Sequence, residues 1–279
     1  MQYSINVHKQ LLDLSLPRIM AIVNITPDSF YTSWSGLSEN TLLDAIQNML
    51  HEGADMIDIG ACSTRPNSVP VDADAEWARL SPALQAIRYH FPSAILSVDT
   101  FRAEIAEKAL EAGADMINDV FGGGESERMW EVVAAHRVPY ILTHAQALSV
   151  PSHPTDYDYT MSQVVDFMQS SINRLHKMGV ADVIIDPGFG FNKTEQQNYT
   201  ILRDMDILHS LHVPILVGIS RKSMLYNPLG LTPADVLPAT IAAHTIALDR
   251  GAKILRVHDV AAAKQAITVY SLTQQQTPK

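Results

Sequence analysis

Polar and charged residues recur in this chain at one kind of place, immediately after a short apolar run. In order, the runs end in Asn24; Ser63, Thr64 and Arg65; Asp99; Asn118 and Asp119; His144; Asp186; Ser220, Arg221 and Lys222; and Arg256, His258 and Asp259. Asp99, Asp186 and Asn118 together supply acceptors and donors suited to the amide-like edge of a neutral heterocycle. Each alone would more often cap the next helix or close a turn. Three at one centre point instead to a ligand, since a buried polar group without a partner costs about 1–3 kcal/mol. Arg221, Lys222, Arg256 and His258 form a second, cationic group in a chain of formal net charge −10. Surface ion pairs would explain them cheaply. They end apolar strands, however, and Arg grips an anion bidentately while Lys and His add charge and donors, so an anionic ligand is expected. As rim residues, Lys222 and Arg256 should matter for activity and little for folding.

The elements that position these residues show themselves as a repeat. "EGADMIDIG" at 52–60 returns as "EAGADMINDV" at 111–120, with looser echoes at 178–188 and 250–260. Each copy ends a helical stretch at Gly53, Gly113, Gly179 or Gly251 and follows it with a short apolar strand, as a left-handed helix cap would. Strand-like runs fall at 19–26, 56–61, 95–100, 116–120, 140–145, 183–188, 215–220 and 254–260. Amphipathic stretches at 38–52, 73–90, 102–112, 158–178, 194–210 and 233–250 lie between them. Strands alternating with helices pair in parallel through right-handed crossovers. Eight such units predict an α/β fold, a single-domain (β/α)₈ TIM barrel over 1–279, with a doubly wound open sheet as the competing architecture. Residues 1–18 read as an N-terminal extension, 146–157 as the longest unpatterned loop and 271–279 as a frayed tail. In a barrel the polar strand ends share one rim, and the loops after the seventh and eighth strands commonly hold phosphate.

Composition narrows the partners. With 30 acidic against 20 basic residues the chain lacks the basic face that nucleic acid requires. A single cysteine, Cys62, excludes an internal disulfide framework and fits the cytoplasm. A buried filler is its ordinary role, a nucleophile the rarer one. The first residues lack the basic start and apolar core of a secretory signal, and no stretch nears the roughly 20 apolar residues that span a bilayer. "DPGFGFNK" at 186–193 matches no nucleotide loop; its glycines allow close approach to a ligand, with Phe189 or Phe191 as a stacking face. His144 and His258 lack the spacing of a zinc hydrolase. A hard cation held by Asn24 and phosphate oxygens suits the composition better.

The runs "NITPDSF" (24–30), "STRP" (63–66), "SVDTFR" (97–102), "INDV" (117–120), "DPGFGF" (186–191), "GISRKS" (218–223) and "ILRVHDV" (254–260) together resemble the dihydropteroate synthases, over about residues 19–270. The resemblance implies a transferase of folate synthesis that joins 4-aminobenzoate to (7,8-dihydropterin-6-yl)methyl diphosphate and releases diphosphate. It implies that Asp99, Asn118, Asp186 and Lys222 bind the pterin, and that Asn24, Arg256 and His258 hold the diphosphate with Mg²⁺ at Asn24. Thr64, Arg65, Phe191 and Ser223 would line the aminobenzoate side. Asp99, Asp186, Lys222, Arg256 and His258 would carry the catalytic work, in a homodimer and in a target of sulfonamides. The chain departs from the family pattern at "DSFYTSWSG", which puts Thr32 where a second loop aspartate is usual, and at "GACSTRPNS" and "THAQALS". A pterin-binding methyltransferase domain and a non-catalytic pterin-binding paralogue are the alternatives, the second suggested by that first loop.

Overall fold

The computed structural model describes residues 3–7, 10–25, 38–62, 71–123, 127–145 and 157–274, the last without the side chains of 157–160. Eight parallel strands form one sheet: β3 (Arg18–Asn24), β4 (Met56–Gly60), β5 (Ile95–Asp99), β6 (Met116–Asp119), β7 (Tyr140–Thr143), β8 (Val183–Asp186), β9 (Leu216–Val217) and β10 (Ile254–Val257). Their spatial order is β8-β7-β6-β5-β4-β3-β10-β9. A bridge between Ile185 and Ile215 joins the two ends, and the Ile185 amide donates to the Pro214 carbonyl at 3.0 Å. That seam makes the sheet a barrel and removes the open-sheet alternative.

Helices return the chain from each strand end to the next strand start: α1 (Glu39–Glu52), α2 (Ala73–His90), α3 (Ala103–Glu111), α4 (Arg128–His136), α5 (Tyr157–Lys177), α6 (Glu195–Arg203), α7 (Ser223–Tyr226), α8 (Leu237–Asp249) and α9 (Val260–Gln274). Local chemistry sets their ends. Ser38 accepts the Thr41 amide at the start of α1, and Gly53, at φ 105°, lets the last turn close before β4 begins. α4 and α9 were not among the amphipathic stretches. α4 is only 9 residues long, and α9 begins "VAAAKQA", where alanines blur the polar face. α9 also runs to Gln274, past the point where fraying was expected to begin. No helix among the described residues is long and apolar enough to cross a membrane.

The expected extension is ordered where it is described. β1 (Ser4–Val7) and β2 (Gln10–Asp13) form an antiparallel hairpin. Its Ile5 and Val7, with Leu14 just after it, pack against Met20, Met56, Met116, Ile141, Ile184, Leu216 and Ile254. Those seven residues come from the beginnings of seven barrel strands, so the hairpin covers the end of the barrel opposite the polar rim. Side chains alternate along a strand, so the residue two positions on faces inward as well. The next inward layer then reads Ile22, Asp58, Asn118, Thr143, Asp186, Gly218 and Arg256, with Ser97 two positions on from Ile95, which packs against the same cluster. Except at Ile22, the barrel interior thus turns from apolar to polar within one step of the pleat.

Candidate active site

Arg256 is the hub of that polar layer. Its Nε donates to Asp58 Oδ2 at 2.6 Å and its terminal nitrogen to Asp99 Oδ2 at 2.6 Å. Asn118 Nδ2 donates to the same Asp58 oxygen at 3.0 Å. Strands β10, β4, β5 and β6 are thereby tied by side chains as well as by their ladders. β8 and β9 complete the ring. Gly218 has no side chain, and a Cβ placed there would lie 3.6 Å from Asp186 Oδ2 and 4.0 Å from Arg256 Cδ. Asp186 and Arg256 therefore both approach the inner face of β9 at Gly218. Lys222, after β9, donates its ammonium to the Phe189 carbonyl and sits 4.6 Å from the centre of the Phe191 ring.

Low polarity around these groups moves their protonation. Burial pushes the Asp99 carboxyl up to about 7; Arg256 pulls against this and Asp58 adds to it. Burial likewise raises Asp186 above the ordinary carboxylate range, opposed by Lys222. Lys222 is brought down to about 8 by burial, and Lys193 to about 7. Burial also works against the Arg256 cation, but Asp58 and Asp99 outweigh it and hold its pKa above the usual value. Groups whose proton affinities are displaced in this way collect where ligands and reactions are.

The residues singled out in the sequence divide by position. Asp99, Asn118, Asp186, Lys222 and Arg256 come together, whereas Thr64 and Arg65 lie outside the described residues, as does Thr32. Asn24 is half-buried at the end of β3. His258 follows β10, its Nδ1 3.0 Å from Ser220 Oγ, which also accepts the His258 amide. Phe191 is half-buried beside Lys222, and Ser223 opens α7, a single turn. The turn role weighed against ligand binding applies in part to Asp186, whose Oδ1 accepts the Gly188 amide at 2.8 Å. It applies fully to Asp119, which accepts from the Phe121 and Gly123 amides and the Tyr140 hydroxyl.

Four expectations are corrected. Arg221 is not part of the anion group: it is buried, forks onto both oxygens of Asp259 at 2.8 Å, and donates to the Pro233 and Ala234 carbonyls. Phe189 is fully buried in the core and offers no stacking face. Cys62 is half-exposed beside Arg102 rather than a buried filler. Arg256 is not a surface rim residue, because its pairing with two carboxylates lies inside the barrel mouth. Asp58 was missed. The signal was available, since it stands between inward-facing Met56 and Gly60 at period two, but the reading stopped at strand ends. Its Oδ1, with Ser97 Oγ and Thr143 Oγ1, is buried without a hydrogen-bond partner among the described residues, which suits a polar ligand above the layer.

The residues fit a Mg²⁺ ion in a limited sense. No cluster of three His, Cys, Asp or Glu capable of holding a metal occurs among the described residues. The amide oxygen of Asn24, at a strand end, matches the habit of Mg²⁺ to take few protein ligands and to keep water and phosphate oxygens.

The sequence pattern of the family described as "Pterin binding enzyme" matches residues 20–258. The chain is 36% identical over 268 residues to the dihydropteroate synthase of Escherichia coli K12, covering 94% of this chain and 93% of that one. It superposes with a TM-score of 0.90 on a dihydropteroate synthase from Coxiella burnetii in complex with pteroic acid, at 34% identity, covering 97% and 98% of the two chains. A Xanthomonas albilineans dihydropteroate synthase with 4-aminobenzoic acid gives 0.89 at 35% identity, covering 99% and 100%. With a polar barrel mouth built from Asp58, Asp99, Asn118, Asp186 and Arg256, and with that likeness along nearly its whole length, the chain belongs to the pterin-binding enzyme family.

Proposed function

We propose that this chain is a dihydropteroate synthase, joining 4-aminobenzoate to (7,8-dihydropterin-6-yl)methyl diphosphate to give 7,8-dihydropteroate and diphosphate. The observation that carries the reading is the meeting of Asp99, Asn118 and Asp186 with Lys222 and Arg256 in one barrel mouth. One set offers hydrogen-bond partners to a flat amide-edged ring, the other positive charge to its phosphates.

In this reading Asp99, Asn118, Asp186 and Lys222 bind the pterin, and Asn24, Arg256 and His258 hold the diphosphate. The C–O bond at the methylene breaks with its electron pair leaving on diphosphate oxygen. Arg256 and His258 stabilise that growing anionic charge. Asp99 and Asp186 stabilise the cationic pterin left behind. The arylamine nitrogen then forms the C–N bond with its lone pair and gives up a proton to solvent. Mg²⁺, with Asn24 as its protein ligand, would supply further charge stabilisation to the leaving diphosphate. Thr64, Arg65, Phe191 and Ser223 line the aminobenzoate side. A homodimer, a cytoplasmic location and sulfonamide susceptibility belong to the same proposal, the location supported by the single cysteine.

The test is diphosphate release by the purified protein with Mg²⁺. Release that requires both substrates is the expected result. No release above background, or tight binding of methyltetrahydrofolate without binding of the pterin diphosphate, would overturn it.

A further inference from the structure

Ser220 carries no charge and has no part in the scheme above, yet it is buried against a residue that does. β9 and β10 pair in parallel, with Leu216 opposite Ile254 and Val217 opposite Leu255. Continued past the strand ends, that register sets Ser220 opposite His258 and Arg221 opposite Asp259. Both pairs form. Ser220 Oγ accepts the His258 amide at 3.2 Å and lies 3.0 Å from Nδ1 of the same residue. One position further on, the Arg221 guanidinium forks onto both oxygens of Asp259 at 2.8 Å, and the Arg221 amide donates to Thr240 Oγ1 at 3.2 Å. The second pair fixes the backbone that follows the first, so hydroxyl and imidazole are held at a set separation.

The proton on Oγ decides which way the contact with Nδ1 runs. A hydroxyl has one proton to give and two lone pairs to receive with. One lone pair takes the His258 amide. A protonated Nδ1 would fill the other, and the Ser220 proton would then be buried with no acceptor in reach among the described residues. A buried donor in that state keeps the full penalty of its lost hydration. The opposite sense satisfies both groups: the hydroxyl donates and Nδ1 accepts. In a neutral imidazole the remaining proton then sits on Nε2, because the bond made by one ring nitrogen sets the state of the other. Ser220 is 5% exposed while His258 is half-buried, so Nε2, the nitrogen turned away from Ser220, has the more open side of the ring. An Nε2–H offers a donor to a phosphate oxygen, where the other tautomer would set a lone pair against it.

We propose that Ser220 is a positioning residue for His258, holding its neutral ring in the Nε2–H form that donates to the leaving diphosphate. The tautomer rests on the contacts alone and its kinetic consequence on the synthase reading, and two measurements separate these. Ring ¹⁵N spectra of histidine-labelled wild-type protein, at about pH 9 where imidazoles are neutral, read the tautomer directly. His258→Gln removes its signals and so assigns them among the 11 histidines. A proton on Nε2 with a bare Nδ1 is the expected result, and a proton on Nδ1 overturns the proposal. In Ser220→Ala the Nδ1 signal should shift as its donor is lost. In the same variant kcat/KM for the pterin diphosphate should fall about 10-fold, with the KM for 4-aminobenzoate within about twofold of wild type. An unchanged ring spectrum or an unchanged kcat/KM overturns the positioning role. So does an equal loss on the aminobenzoate side, the mark of a generally disturbed site. If Ser220→Ala does not fold, the wild-type spectrum still decides the tautomer. A wild-type protein that releases no diphosphate counts against the synthase reading, and the spectrum is read independently of it.

Discussion

Asp58 shows how much one buried carboxylate can organise. Its Oδ2 receives both Arg256 and Asn118, so the guanidinium and the amide take their positions from the same atom. Removing it leaves Arg256 with Asp99 as its remaining ion-pair partner among the described residues and leaves Asn118 without that acceptor. Asp58→Ala is expected to destabilise the protein by about 3–5 kcal/mol, the usual result of breaking a buried pair on one side. It should lower kcat/KM by about 100-fold through misplacement of Arg256. Urea unfolding and steady-state kinetics check the two halves. The same reasoning revises the expectation for Arg256 itself: Arg256→Ala strands two buried carboxylates and must cost stability as well as activity, so its fold cannot be taken as intact.

At the scale of elements, the loop after β8 is built to press against the end of β7. Gly188, at φ 74°, brings its backbone so close that a Cβ would lie 2.0 Å from the His144 carbonyl oxygen. Lys193 then bridges the two loops, donating to that carbonyl at 2.7 Å and to the Gly188 carbonyl at 2.8 Å. Its lowered proton affinity is the consequence of being enclosed there, as is that of His144, which burial drives to about 3 and so keeps neutral. Gly188→Ala fails on both grounds, a left-handed backbone and a collision with main chain that no side-chain movement relieves. A loss of about 2–3 kcal/mol is expected by thermal or denaturant unfolding, together with weaker pterin binding, because the Gly188 amide donates to Asp186.

For the whole molecule, closure of the barrel decides what pH does. β5 and β9 are remote in sequence, and closure sets Asp99 and Lys222 around one pocket. Asp99 is anionic above about 7 and Lys222 cationic below about 8. If both charges serve the pterin, kcat/KM for the diphosphate substrate should be highest between those values. It should fall towards acid as Asp99 takes a proton and towards alkali as Lys222 loses one. A profile measured from pH 5 to 10 tests this. Lys222→Arg, whose charge persists at high pH, should flatten the alkaline limb of whatever activity remains. A profile flat through both values would remove these two groups from the reacting pocket.

The sequence by itself determined the repeated unit, the positions of all eight barrel strands and the polar residues that end them, because a short apolar run closed by Asp, Asn or Arg is a local signal. It also carried the family resemblance, which rests on short runs of adjacent residues. The hairpin at Ser4–Val7 and Gln10–Asp13 was not legible, since each strand is 4 residues long and its reason for existing is the open end of the barrel. Tertiary structure alone separated Arg221 from Lys222. The two are neighbours in sequence, but Arg221, at φ 55°, is directed to Asp259 while Lys222 turns into the pocket. It likewise decided that Asp58, hidden in the middle of an apolar strand, faces Arg256 across 198 residues of chain. Local pattern fixes which face of a strand a residue occupies; which distant charge it meets there depends on how the barrel closes, and no local pattern encodes that.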